Sequence, residues 1–139
     1  MRIIGLDVGE KRIGVAISDP LGITAQGAGV ITRKKLEDDI NEIKKYVDEY
    51  KADSMVVGMP LNMDGTQGKS AQKVAEFVKI LSSALNIPVA TYDERLSTKE
   101  SEKFLVSCDV SRKKRKRVID TIAAQLILRS YLDSLKKNV

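Results

Sequence analysis

Ile3-Ile4-Gly5-Leu6-Asp7-Val8-Gly9-Glu10-Lys11-Arg12-Ile13-Gly14-Val15-Ala16-Ile17-Ser18 carries the pattern that decides the fold of this 139-residue chain. Ile3 to Val8 and Ile13 to Ser18 are short runs, apolar on both alternating faces. A strand with two apolar faces is covered on both sides, so the runs read as central strands of a sheet. Gly9-Glu10-Lys11-Arg12 between them reads as a hairpin connection. Asp7 breaks the pattern. Period-two alternation puts it on the same face as Ile3 and Gly5, and a carboxylate beside a core is costly unless it is paired, hydrogen-bonded or bound to metal. An aspartate capping the turn before Gly9 is the plainer reading of the same residue.

Working outward, Asp19-Pro20-Leu21-Gly22 is a turn, and a third, weaker strand runs up to Thr32. From Lys35 to Lys51 the period changes: Leu36, Ile40, Ile43 and Val47 make one apolar helical face. Ser54 to Met59 is a short apolar strand ended by Pro60, and Leu61 to Lys69 is a loop. Ala71, Val74, Ala75, Val78, Leu81 and Leu85 mark a second amphipathic helix, and Val89 to Tyr92 a fifth strand. A helix capped by Ser97 or Thr98 runs to about Ser107, and a last helix extends from about Val118 to Lys136. An antiparallel meander followed by βαβ crossovers gives an α/β fold: a five-stranded mixed sheet with helices on both faces. Its length suits one domain over residues 1–139.

Composition narrows the function. The hydrophobic fraction of 42% fits a globular domain. The single cysteine, Cys108, has no internal partner, and the N-terminal apolar stretch is interrupted too early for a secretory signal, so the expected compartment is the cytoplasm. No apolar run is long enough to span a bilayer. The net charge is +5, and Arg112, Lys113, Lys114, Arg115, Lys116 and Arg117 are consecutive cations. Without them the chain has a slight negative excess. Such a block repels itself, resists ordered structure alone and suits polyanions, although a solvated loop is the bland alternative. The absence of histidine removes the commonest general base and the commonest zinc ligand.

Three acidic positions carry chemistry. Asp7 ends one strand. Asp93 and Glu94 end another with no turn residue before them, at the sheet edge where α/β proteins place their sites; a polar strand end is the alternative. Asp120 shares a helical face with Ala123, Ala124, Ile127 and Tyr131, an otherwise apolar face. Pairing with the helix N-terminal dipole explains its place in the first turn but not its choice of face. Clustered carboxylates repel one another unless a cation neutralises them. Hard oxygen ligands suit Mg²⁺ or Mn²⁺, and two such ions serve phosphodiester hydrolysis.

Ile4-Gly5-Leu6-Asp7-Val8-Gly9 with Lys11-Arg12-Ile13-Gly14-Val15-Ala16 resembles the opening of the YqgF family, described as pre-16S rRNA nucleases and as Holliday-junction-resolvase-like. Val57-Gly58-Met59-Pro60-Leu61-Asn62-Met63-Asp64-Gly65, Asp93-Glu94-Arg95-Leu96-Ser97-Thr98, and the basic run with Asp120-Thr121-Ile122-Ala123-Ala124 follow in family order. The resemblance implies a ribonuclease H-like fold, with Asp7, Glu94 and Asp120 as metal ligands, and favours Glu94 over Asp93. It implies a nucleic-acid substrate, an rRNA precursor or branched DNA.

Asn62 and Asp64 lie on the loop after a strand, where they can position substrate or simply close a turn. Arg95 can meet a phosphate or balance the acids. The six cations from Arg112 to Arg117 are expected to be mobile in the free protein and to contact phosphates. The rival enzymatic reading is a sugar-kinase or actin-like ATPase, which needs two comparable domains. A non-catalytic nucleic-acid-binding module is the rival of another class. Monomer and homodimer both remain open.

Overall fold

β1 (Ile3–Val8) and β2 (Arg12–Ser18) form the expected antiparallel hairpin, pairing from Ile4 with Ile17 to Val8 with Ile13. The Gly9 N–H donates to the Arg12 carbonyl at 2.9 Å and closes the turn. β3 (Ala25–Thr32) continues the meander on the other side of β2. α1 (Leu36–Tyr50) then crosses to β4 (Ser54–Met59), which lies parallel to β1, and α2 (Lys69–Ala84) crosses to β5 (Val89–Asp93), parallel to β4. α3 (Arg112–Lys137) ends the chain. The sheet order is β3-β2-β1-β4-β5. The computed structural model describes residues 1–62, 64–93 and 112–137, with side chains from 121 to 136 in the last segment. The helix expected from Ser97 or Thr98 to Ser107 lies outside the described residues.

The apolar character of both faces of β1 now has its explanation. Ile4 and Leu6 point into a core shared with Ile43 of α1 and Val74, Phe77 and Leu81 of α2. Ile3 points to the opposite face, into a second core with Ala16, Val56, Ala124, Ile127, Leu128 and Leu132. Helices therefore cover both faces: α1 and α2 one, α3 the other. Leu36, counted in the apolar face of α1, remains 43% exposed. It is the first residue of its helix and overhangs a cleft at the sheet edge.

α3 lies close to the sheet because small residues let it. Gly27, Ala16 and Gly5 form one row across β3, β2 and β1. A Cβ on Gly5 would lie 2.9 Å from the Leu128 Cβ and 3.3 Å from the Ala124 carbonyl oxygen, and one on Gly27 would overlap the Thr121 methyl. The helix thus runs across the row from β3 to β1.

One boundary differs from expectation. α3 begins at Arg112, so the backbone of the basic run is helical instead of a mobile lead-in. Arginine and lysine are good helix formers, and the docked apolar face downstream supplies the costly nucleus from which the helix extends. The arrangement is opposed by the macrodipole, because the first turn is cationic with no acid in it.

Candidate active site

Asp7 is the next-to-last residue of β1 and is half-buried. It shares its sheet face with Ile3 and Gly5, the face on which α3 packs. Its partner on β2 is Gly14, which has no side chain to crowd the carboxylate. Asp120 belongs to α3, one helical turn before Ala124, whose carbonyl rests over Gly5. One turn is about 6 Å along the helix, and Asp7 lies about 7 Å along β1 from Gly5. The strand that carries Asp7 and the helix that carries Asp120 therefore meet on one face.

Glu94 and Arg95 lie outside the described residues. Asp93 does not, and its register is informative. Tyr92 packs edge-on against Tyr131 of α3, with ring centroids 6.2 Å apart. Val89 joins the core on the opposite face. Alternation gives Asp93 the face of Val89, away from that of Asp7. Among the described residues no group of three or more His, Cys, Asp or Glu is placed to hold a metal ion.

The Asn62 loop is explained by its own closure. Asn62 donates from Nδ2 to Thr66 Oγ1 at 3.1 Å, and its backbone N–H donates to the Thr66 carbonyl at 2.9 Å. Asp64 accepts from the Thr66 N–H at 3.0 Å and from its hydroxyl at 2.6 Å. Both side chains do the turn work that residues of this type do elsewhere.

Arg33 was not singled out by sequence. Its Nη1 donates to the Gly9 carbonyl at 2.7 Å, two residues after Asp7. Its Nε pairs at 3.2 Å with Asp39, whose side chain is 2% exposed. Its guanidinium carbon sits 5.1 Å from the Phe77 ring centre. Asp39 is held further by the Lys34 backbone N–H at 2.9 Å. One side chain thus ties the turn behind Asp7 to α1 and α2. A lone arginine after a strand gives no periodic signal, so only the tertiary contacts reveal it. Beside this clamp, Asp7 to Glu10, the start of α1, Pro60 and one face of α2 line a cleft of about 810 Å³.

The geometry has close parallels. The family model described as "RuvX: Holliday junction resolvase" matches residues 1–134. A protein of Halothermothrix orenii named "Putative pre-16S rRNA nuclease" is 54% identical over 137 residues, covering 99% of this chain and 98% of its own. One of Desulforamulus reducens with the same name is 53% identical over 134 residues, covering 96% and 98%. Among solved structures, the Thermus thermophilus RuvC complex with Holliday junction substrate superposes with TM-score 0.59 at 15% identity, covering 98% of this chain and 96% of that one. The fowlpox virus Holliday junction resolvase gives 0.60 at 17% identity, covering 97% and 99%. At such identities these two show the fold alone, the ribonuclease H-like fold of RuvC-type resolvases. The match along nearly the whole chain, with identities above one half to full-length relatives, settles the kinship: this chain belongs to the RuvX family.

Proposed function

We propose that this protein is a metal-dependent nuclease that hydrolyses phosphodiester bonds in 5′-end processing of pre-16S rRNA during ribosome biogenesis. The observation that carries the reading is full-length kinship with relatives bearing that name. Asp7, Glu94 and Asp120 are its proposed ligands. The shared sheet face of Asp7 and α3 supports the first and last. The opposite placement of Asp93 supports Glu94 as the acid from β5's end.

An all-carboxylate set with no histidine in the chain fits Mg²⁺ or Mn²⁺, and two ions are proposed. When bound, such ions activate a water and neutralise charge on the phosphate. The chain's own contribution is positioning. β1 and α3, the elements that carry Asp7 and Asp120, are held together by a packed core, and Arg33 fixes the turn behind Asp7. The run from Arg112 to Arg117, on the same helix as Asp120, would draw the phosphate backbone toward the acids. Asn62 and Arg95 are proposed as further substrate contacts. The protein is read as a single cytoplasmic domain. Among the described residues no helix is long and apolar enough to cross a membrane.

The test is cleavage of end-labelled 16S precursor RNA beside a four-way DNA junction, with Mg²⁺, Mn²⁺ or EDTA. The expected result is metal-dependent cutting of the precursor, lost in Asp7→Asn and halted by EDTA with the far-UV signal intact. A folded Asp7→Asn protein with undiminished cleavage would remove the site. Cutting of the junction alone would favour the second reading, a structure-specific DNA endonuclease, which the family's description supports.

A further inference from the structure

The cleft beside the β1–β2 turn is not accounted for by the carboxylate site, although it begins at Asp7. Its volume of about 810 Å³ lies within the range of small-ligand sites, about 300–1,000 Å³. Two of the large apolar side chains exposed on the molecule, Leu36 at 43% and Ile80 at 38%, both line it. Two aliphatic side chains lining one concavity offer a small platform for a partly apolar ligand.

The charged residues lining the cleft differ in what they can offer. Arg33 is committed to the Gly9 carbonyl, to Asp39 and to the Phe77 ring, so it forms wall. Lys34 and Lys73 are exposed cations on two different elements, the lead-in to α1 and the body of α2. Glu10 and Glu76 line the same cleft. This balance disfavours a bare polyanion and favours a ligand with apolar surface, spaced negative charge and hydrogen-bond donors. A nucleotide within a strand has all three: a base face, flanking phosphates, and amino or hydroxyl donors.

We propose that the cleft is a strand-binding subsite, in which a nucleotide next to the scissile phosphate packs on Leu36 and Ile80 while Lys34 and Lys73 meet its flanking phosphates. The inference rests on the nuclease reading and deepens it. It gives the substrate strand a route from Asp7 over the edge of the sheet onto the α2 face. The Arg112–Arg117 run lies on the helix of the other face, so the two basic features would grip the strand on either side of the acids. An aliphatic platform tolerates any base, so the subsite would position the strand and not read its sequence.

The test uses the full chain with Ca²⁺ replacing Mg²⁺, and a short labelled single-stranded RNA followed by anisotropy across a KCl series. Lys34→Gln/Lys73→Gln should weaken binding and make the slope of log affinity against log salt shallower by about 1.4, at about 0.7 per single-strand phosphate contact. Lys44→Gln/Lys79→Gln removes the same charge from α1 and α2 outside the cleft and should leave the slope unchanged. Ile80→Ser, a truncation of an exposed side chain, should weaken binding roughly three- to ten-fold with the slope retained. Photo-crosslinking of 4-thiouridine RNA should label the peptide that contains Lys73 to Ile80. Equal slopes for the two lysine pairs, or crosslinks that avoid α2 altogether, would overturn the subsite while leaving the nuclease reading intact. A wild-type protein that binds neither RNA nor DNA would overturn both.

Discussion

Arg33→Met tests the clamp behind Asp7 most directly. Methionine keeps an unbranched stem over Phe77 but removes every donor. Three interactions go at once: the 2.7 Å bond to the Gly9 carbonyl, the 3.2 Å pair with Asp39 and the contact at 5.1 Å with the Phe77 ring. A hydrogen bond from a charged group contributes about 1.5–3 kcal/mol, and a partly exposed cation–π contact about 0.5–1 kcal/mol. Stranding a buried carboxylate costs up to about 3–5 kcal/mol, but Asp39 keeps the Lys34 N–H, and Arg33 itself is 24% exposed, so water can partly replace it. The loss of stability should therefore be about 2–4 kcal/mol, short of the simple sum. For a chain of this size that is a fall in Tm of roughly 6–15 °C. Urea unfolding of the wild type, Arg33→Met, Asp39→Asn and the double variant forms a cycle, with an expected coupling of about 1–2 kcal/mol. A coupling near zero, or an Arg33→Met protein as stable as the wild type, would refute the reasoning. At temperatures where the variant stays folded, Mn²⁺ binding followed by its spectroscopic signal should weaken, because the turn after Asp7 has lost its tether.

Gly5→Ala should destabilise by about 1–3 kcal/mol, since the new methyl meets the Leu128 Cβ and the Ala124 carbonyl and α3 must move away; thermal unfolding reads this, and a neutral result would mean α3 is loosely docked. Asp19 accepts backbone N–H bonds from Thr24 and Ile23, and the Thr24 bond most of all holds its carboxyl below the ordinary 3.8. A depressed folded-state value means its contribution is present above the unfolded value and lost as the pH falls through the folded one, so Asp19→Asn should flatten the stability profile below about pH 4; unchanged acid-limb curvature would count against it. Replacing Lys113, Lys114 and Lys116 with Gln should weaken nucleic-acid binding for all sequences alike and make the salt slope shallower by roughly two to three units. An unchanged slope would leave the run without a role in phosphate contact.

By itself the sequence determined the strands, the two crossover helices and the order in which they occur, because each is a local periodicity of apolar residues. Two-sided apolar runs also required β1 and β2 to be central, and they are. The prediction of Asp7 as an anomaly followed from the same alternation. Periodicity failed where several elements compete or where backbone preference has no apolar signature. The basic run has no apolar period and its like charges repel, yet the docked face beyond it carries the helix back to Arg112. Asn62 can serve substrate as well as turn, and only the position of Thr66 reveals the turn bond that its side chain makes.

Tertiary structure alone decided what lies beside what. Asp93 falls on the face opposite Asp7 because β5 is parallel to β4 in a register that sets Tyr92 against α3 and Val89 in the other core. The close approach of α3 depends on a row of small residues drawn from β3, β2 and β1, which no single segment displays. Arg33 reaches a turn 24 residues away, and nothing in its neighbours foretells that. A chain's periodicity records which side of each element is dry, whereas contacts between elements depend on register and crossing, which are set only when the cores close.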